Sequence, residues 1–311
     1  MPEAQPPPIE AESVRTVVVA LAANLGIALA KLVAALLSRS SAMVAEALHA
    51  LADAGNQVLL LVAQRRSARP PDQRHPMGHG REAYFWALIA SLGVFVTGAL
   101  LSVRQGIDEL AHPTKAQSFA VAYAVLLISL VLESLSLRRA YRQLRDEART
   151  LSREFFEHLD LSSDPIARAV FAEDAVAVAG NVIAAAGLAL HQLTGSAIPD
   201  GLAAVVIGLT LGYVAVQLAR RNGDFLIGRQ ASAPLHSRVQ EIIAGQQGVC
   251  AVTELLVTFL GPRRLWVVAR VDIDDALTGA RVKELVRATE EALTKESPFI
   301  ARVDLVPATR A

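Results

Sequence analysis

His49 and Asp53 stand four residues apart, with Asn56 three further on, inside a mostly apolar run from 41 to 63. At 3.6 residues per turn this spacing places all three along one helical face. A second apolar run, 165–190, carries Glu173, Asp174 and Asn181. Asp174 and Asn181 share a face there, while Glu173 is turned from Asp174 by about 100°. An imidazole with two or three carboxylates makes a tetrahedral nitrogen and oxygen site suited to Zn²⁺, and Mn²⁺, Fe²⁺ and Co²⁺ use the same donors. The alternative is a buried His–Asp hydrogen bond that ties two helices together. A third stretch, Asp72-Gln-Arg-His75-Pro-Met-Gly-His79, offers one carboxylate and two imidazoles within eight residues. It reads as a second metal site or as a solvated loop that happens to contain histidine. His112, His158, His191 and His236 stand singly and read as surface or interfacial residues.

The elements that must position these groups are set by where the apolar residues fall. Charged residues make up 19% of the 311 and hydrophobic ones 53%, against about 25% charge in an ordinary soluble domain. The excess is concentrated in six windows, 14–36, 41–63, 83–105, 117–137, 165–190 and 198–219, each near the ~20 residues a helix needs to cross a bilayer. Tyr84 and Trp86 read as interfacial anchors at one end of the third. With roughly 1.5 Å of rise per residue, Asp53 and Asp174 come to the same level near the bilayer midplane. Ionisable groups at that depth are costly and mark function. Lys31 and Glu46 are placed to pair or to snorkel, Glu133 to reach water near the inner end of the fourth window, and Asp200 to open the sixth; structural roles are expected for these four.

From 232 onward no such window exists. Alternating apolar residues on either side of Gly261-Pro262 predict two strands of a hairpin, preceded by a helix at 235–246 and followed by an amphipathic helix at 277–294 and a strand at 300–306. The predicted fold is a membrane α-helical protein: six transmembrane helices over 14–222, then a cytoplasmic α+β domain of order α-β-β-α-β over 232–311. Residues 1–13, Pro-rich and acidic, are expected as a disordered tail rather than a cleaved signal. Arginines crowd the connections between the second and third windows (Arg65, Arg66, Arg69, Arg74, Arg81) and the fourth and fifth (Arg138, Arg139, Arg142, Arg145, Arg149, Arg153). The opposite connections hold only Arg39, Arg104 and Lys115, so both termini are expected in the cytoplasm. The Ala- and Arg-rich composition favours a bacterial inner membrane.

Several classes are excluded. Thirty basic residues balance thirty acidic ones, so the basic excess of a nucleic-acid binder is missing. A single cysteine, Cys250, rules out an intramolecular disulfide framework and a Cys-rich zinc fold. No His-Glu-x-x-His motif supports an intramembrane metalloenzyme, so the chain is not expected to be an enzyme or to hold a resident cofactor.

Together these stretches resemble the cation diffusion facilitators, transporters of zinc and related divalent metals. The resemblance is carried by Gly26–Lys31, by Ser40-Ser41-Ala-Met43-Val-Ala45-Glu46-Ala-Leu-His49-Ala-Leu-Ala-Asp53-Ala-Gly-Asn56-Gln57, by His75-Pro-Met-Gly78-His79-Gly80-Arg81, and by Asp200-Gly201. It implies a homodimer in a lipid bilayer whose protomers exchange a cytosolic divalent cation for protons. It also implies that His49, Asp53 and Asp174 are metal ligands, and that Asp72, His75 and His79 form a loop site found in some members. Two departures stand out. The fifth-span ligand expected four residues before Asp174 is Val170, which cannot ligate; Glu173 is the nearest substitute, as in the branch with a Glu-Asp pair there, and Asn56 or water is the other way to complete the shell. The C-terminal positions that hold metal in some relatives fall near Thr253, Arg270 and Leu305, so that domain is expected to dimerise without a binuclear zinc cluster.

Overall fold

The computed structural model describes residues 11–113, 118–150 and 154–308, the helical stretch 11–23 as backbone. Of the expectations above, those for residues 1–10, Lys115 and Arg153 lie outside it, and the first helix begins at Ala11 rather than at 14. Six long helical passages follow the six apolar windows: α1 (Ala11–Ser38), α2 (Ser41–Ser67), a third passage of α3 (Glu82–Gly93), a π segment (Val94–Leu100) and α4 (Leu101–Ala111), then α5 (Phe119–Thr150), α7 (Pro165–Thr194) and α8 (Ile198–Ile227). The short α6 (Phe155–Leu161) lies between α5 and α7. The π segment breaks the expected uniform third helix; Thr97 Oγ1 donates to the Gly93 carbonyl at 2.7 Å beside the widened turn.

Four passages, Glu82–Ala111, Phe119–Arg149, Pro165–Thr194 and Ile198–Ile227, are long and apolar enough to cross a bilayer. Large apolar side chains such as Leu36, Leu127, Ile128, Val182 and Leu209 point outward from the helices, the pattern of an integral membrane protein solvated by lipid rather than water. The second passage falls short by composition because its interior carries Glu46, His49, Asp53 and Asn56. The described side chains of the first begin only at Asn24, leaving a short apolar stretch, Asn24–Ser38.

The chain forms two compact units. Among the described residues, the first comprises those through Val62, Ala87–Phe155 and Ile166–Arg220, the second Ala63–Trp86, Phe156–Pro165 and those from Arg221 onward. Within the first unit, α4 and α8 approach closely. A Cβ on Gly106 would sit 2.7 Å from the Gly201 carbonyl oxygen, and one on Gly208 2.7 Å from the Val103 side chain. Small residues let membrane helices pack backbone to backbone where no hydrophobic drive operates.

The start of α2 is held by a residue distant in sequence. Arg39 turns the chain with φ of 52°, and Ser40 Oγ accepts from Met43 N as a local cap at 3.2 Å. Fully buried Asp200, in the first turn of α8, accepts from Ser40 Oγ at 2.7 Å and from Ser41 N at 2.6 Å. A carboxylate there both satisfies an orphan backbone donor and opposes the positive end of the helix dipole. Asp200→Ala is expected to cost about 1–3 kcal/mol and to lower the thermal midpoint in detergent; an unchanged midpoint would show that the cap is idle.

In the second unit, β1 (Val249–Gly261) and β2 (Arg264–Ile273) form the expected hairpin through Pro262 and Arg263, whose φ of 55° follows the proline as a type II-like turn requires. β3 (Ile300–Ala308) joins β2 in parallel, giving the order β1-β2-β3. A parallel pair needs a crossover, supplied by α10 (Gly279–Glu296). Leu265, Val267, Ala269 and Val271 of β2 are all buried, the period of two read from the sequence. They pack with Val239 and Ile243 of α9 (Ala233–Ala244) and Leu293 of α10. Tyr84 was expected as an interfacial anchor; it is instead fully buried and stacked on Phe225 at 5.1 Å. His158 and His191, read as surface or interfacial, are both buried.

Candidate metal centre

In α2 the apolar positions pack inward together with the polar row, so Ala42, Met43, Ala45, Glu46 and His49 are all buried. His49 Nε2 lies 3.1 Å from Asp53 Oδ2, one turn apart as the i, i+4 spacing dictates. The approach is too bent for a hydrogen bond, and both imidazole nitrogens, Asp53 Oδ1 and Asn56 Oδ1 are buried with no hydrogen-bond partner among the described residues. Orphaned polar atoms at this depth are strongly disfavoured. Oxygen and imidazole lone pairs are the donors a hard or borderline divalent cation takes.

The facing helix is α7. Asn56 Nδ2 donates to Glu173 Oε1, while a side chain on Gly180 would collide with the Glu46 carboxylate. As numbers rise along α2 they fall along α7, so Asp53 comes level with the acids at 173 and 174. The two acids then diverge. Glu173, 7% exposed, faces α2, whereas Asp174 turns to α5 and accepts from Ser136 Oγ at 2.7 Å. Asn181, on the face of Asp174, also meets α5 through Glu133 Oε2. The 100° turn between neighbouring residues thus splits the pair between two helices. Val170 packs against an apolar cluster with Leu60, Ala169 and Leu218. His49, Asp53, Glu173 and Asp174 are brought to one region, but their oxygen and nitrogen atoms are not drawn together as a closed shell.

The other intramembrane charges form a network. Lys31 Nζ lies 2.7 Å from Glu46 Oε2 and 2.8 Å from Glu133 Oε1. Lys31 and Glu46 pair as one of the two expected alternatives. Glu133 does not simply reach water: its side chain is only 14% exposed and is held by Lys31 and Asn181.

Among the described residues, only Asp72, His75 and His79 form a group of three potential ligands that each offer one donor atom within 4.8 Å of the others. His79 Nε2 is 3.0 Å from Asp72 Oδ2 and His75 Nδ1 is 3.2 Å from Asp72 Oδ1. The edge of a tetrahedron built on bonds of about 2.0–2.1 Å is ~3.3 Å, and each imidazole lies near that distance from one oxygen of the Asp72 carboxylate. The loop is tied from within: Asp72 Oδ1 accepts from Arg74 N and His75 N at 2.8 and 2.6 Å. Glu82 Oε1 meets His79 Nδ1 at 2.7 Å, fixing the ring so that Nε2 faces Asp72. A carboxylate behind a ligating imidazole is the usual way to orient it. Gly80 and Gly261 come so close that a Cβ on either would clash with the other's backbone. Both histidine-loop residues and hairpin belong to the second unit.

Residues 17–227 match the family model for the cation efflux transmembrane domain. The chain belongs to the cation efflux, or cation diffusion facilitator, family. Members similar to it include a mitochondrial proton-coupled zinc antiporter of Xenopus laevis (SLC30A9), 37% identical over 244 residues that are 78% of this chain and 44% of that one. Metal tolerance protein C4 of Arabidopsis thaliana is 31% identical over 237 residues, 76% of this chain and 52% of its own. The cation-efflux pump FieF of Escherichia coli is 24% identical over 263 residues, covering 83% and 80%. The chain spans about half the length of the first two relatives.

In this cation efflux protein, three residues near the candidate sites escaped sequence reasoning. Glu82, three residues after His79, carried a weak signal, since i+3 on a nascent helix returns to the histidine. Ser136 carried none, because a serine in an apolar helix is unremarkable. Glu133 was visible as a charge but not as a partner of Lys31, 102 residues away.

Proposed function

We propose that this cation efflux protein exports a divalent metal cation, Zn²⁺ first among the class, in exchange for protons. The cargo site is formed by His49, Asp53, Glu173 and Asp174, with Asn56 beside them. The observation that carries this reading is the row of buried, unpartnered lone-pair atoms at His49, Asp53 and Asn56, facing an acid of α7. The frog relative is named for proton-coupled zinc antiport, which supports the choice of ion and coupling. All six passages cross the bilayer in this reading, since α2 buries its polar row among helices that qualify by composition. Both termini lie on the arginine-rich cytoplasmic side of a bacterial inner membrane, and the C-terminal domain joins two protomers.

Metal ligation needs a neutral imidazole and ionised carboxylates, so metal and protons compete for the same atoms. Facing the cytosol the site takes metal; facing a more acidic compartment it takes protons and releases metal. Rocking of helices around a midplane site completes the exchange. Purified protein alone in liposomes should load Zn²⁺ against an imposed proton gradient. Val170 favours one second reading, a metal-binding partner subunit that does not itself transport. Silent liposomes would select that reading.

Asp72, His75 and His79 are proposed as a second cation site. Hydrogen bonding to Glu82 and then to Asp72 holds the His79 imidazole above its ordinary pKa, and the bond from His79, with the His75 N–H, draws Asp72 down to about 2. The His79 pairing is therefore present below the ordinary histidine range and lost as pH rises through its raised value. The Asp72 contribution is present above the ordinary carboxylate range and lost as pH falls through about 2. A metal must displace the His79 proton, so affinity at the loop should fall about tenfold per pH unit below that raised value. Co²⁺ absorption titrations in an Asp53→Ala background read the loop by itself. Glu82→Gln should weaken Co²⁺ binding there by roughly 10–100-fold, and a pH-independent affinity would discount the site.

A further inference from the structure

We propose that Glu46 and Glu133, bridged by Lys31, form a proton-binding site separate from the metal ligands, and that it carries part of the exchange; this rests on the antiport reading above. The bridge is tight, with the Lys31 ammonium 2.7 Å from one carboxylate and 2.8 Å from the other. Lys31 and Glu46 are 1% and 0% exposed. One ammonium against two carboxylates leaves one negative charge in excess in an apolar surrounding, which is strongly disfavoured unless something neutralises it.

The facing groups do not supply that neutralisation. α1 contributes Lys31, already counted. α2 contributes His49, whose imidazole, 3.1 Å from the Asp53 carboxylate, must be neutral to ligate metal and so adds no positive charge in the metal-bound state. α7 contributes Asn181, which is neutral and donates to Glu133, and Asp174, another acid. A divalent metal is a poor candidate, because the ammonium already stands between the two carboxylates and would repel it. A proton fits. Glu46 Oε1 and Asn181 Oδ1 are both buried acceptors without a partner among the described residues, and protonation of a carboxyl supplies a donor. Gly180 fixes the geometry, leaving room for the Glu46 carboxylate where any side chain would collide.

The test is the number of protons exchanged per Zn²⁺, read in liposomes from the proton gradient at which net metal flux stops. Glu133→Gln and Glu46→Gln each leave one lysine with one glutamate, a neutral pair that should fold; using both keeps the result independent of either. Each variant is expected to bind Zn²⁺ with wild-type stoichiometry by calorimetry and to exchange about one proton fewer per metal ion. An unchanged ratio in the variants, with wild-type exchange intact, overturns this inference alone. Absence of proton-driven flux in the wild type overturns the antiport reading and this inference with it.

Discussion

Asp53→Ala abolishes proton-driven Zn²⁺ loading of liposomes. Asp53 lies one turn from His49, level with the first acids of α7, and its Oδ1 is a buried acceptor with no partner among the described residues. Losing one charged ligand should weaken metal binding roughly a hundred- to thousandfold, about 2.7–4.1 kcal/mol. Asp53→Asn keeps the volume but not the charge, and should lose flux nearly as fully. Folding should survive both substitutions, because Lys31, Glu46 and Glu133 are paired elsewhere and Asp200 still holds the start of α2. The thermal midpoint in detergent checks that. Undiminished flux from either variant would remove α2 from the cargo site.

Glu173→Ala lowers Zn²⁺ occupancy of the purified protein, and this substitution decides what stands in for Val170. Glu173 faces α2 and takes a hydrogen bond from Asn56, while Asp174 is committed to Ser136 on α5. If Glu173 ligates, its loss should weaken binding by roughly a hundredfold, about 2.7 kcal/mol, and metal retained through gel filtration should fall towards that of Asp53→Ala. Asp174→Ala should weaken binding as well, through the same shell. Occupancy unchanged in Glu173→Ala would hand the fourth position to Asn56 or to water. In that case Asn56→Ala becomes the variant that empties the site.

Much of the protein was legible in its residues. The six helical passages follow the six apolar windows, and in the four long and apolar enough to cross a bilayer a helix satisfies the backbone within one segment. The hairpin at Gly261-Pro262 and the buried row Leu265, Val267, Ala269 and Val271 follow from a period of two, which chain geometry imposes locally. The pairing of His49 with Asp53 is equally local. Asp72, His75 and His79 lie within eight residues, so a single turn of loop can gather them. The family match over residues 17–227 covers the helical windows, the His49–Asp53 stretch and the histidine loop, and ends before the hairpin.

What needed the folded chain is long-range. Lys31 finds Glu133 across 102 positions and Ser40 finds Asp200 across 160; no periodicity encodes such pairings, which depend on which helices become neighbours. Tyr84 illustrates the same limit: its type suits an interface, but Phe225 covers it. Composition marked the chain as a membrane protein and placed ionisable residues inside its apolar windows, where the cost of burying charge is visible residue by residue. Only the tertiary structure decided which helix each acid faces. Glu173 and Asp174 are adjacent in sequence, yet the helix turns one towards Asn56 and the other towards Ser136, since 100° of rotation separates neighbours and the helices on either side differ.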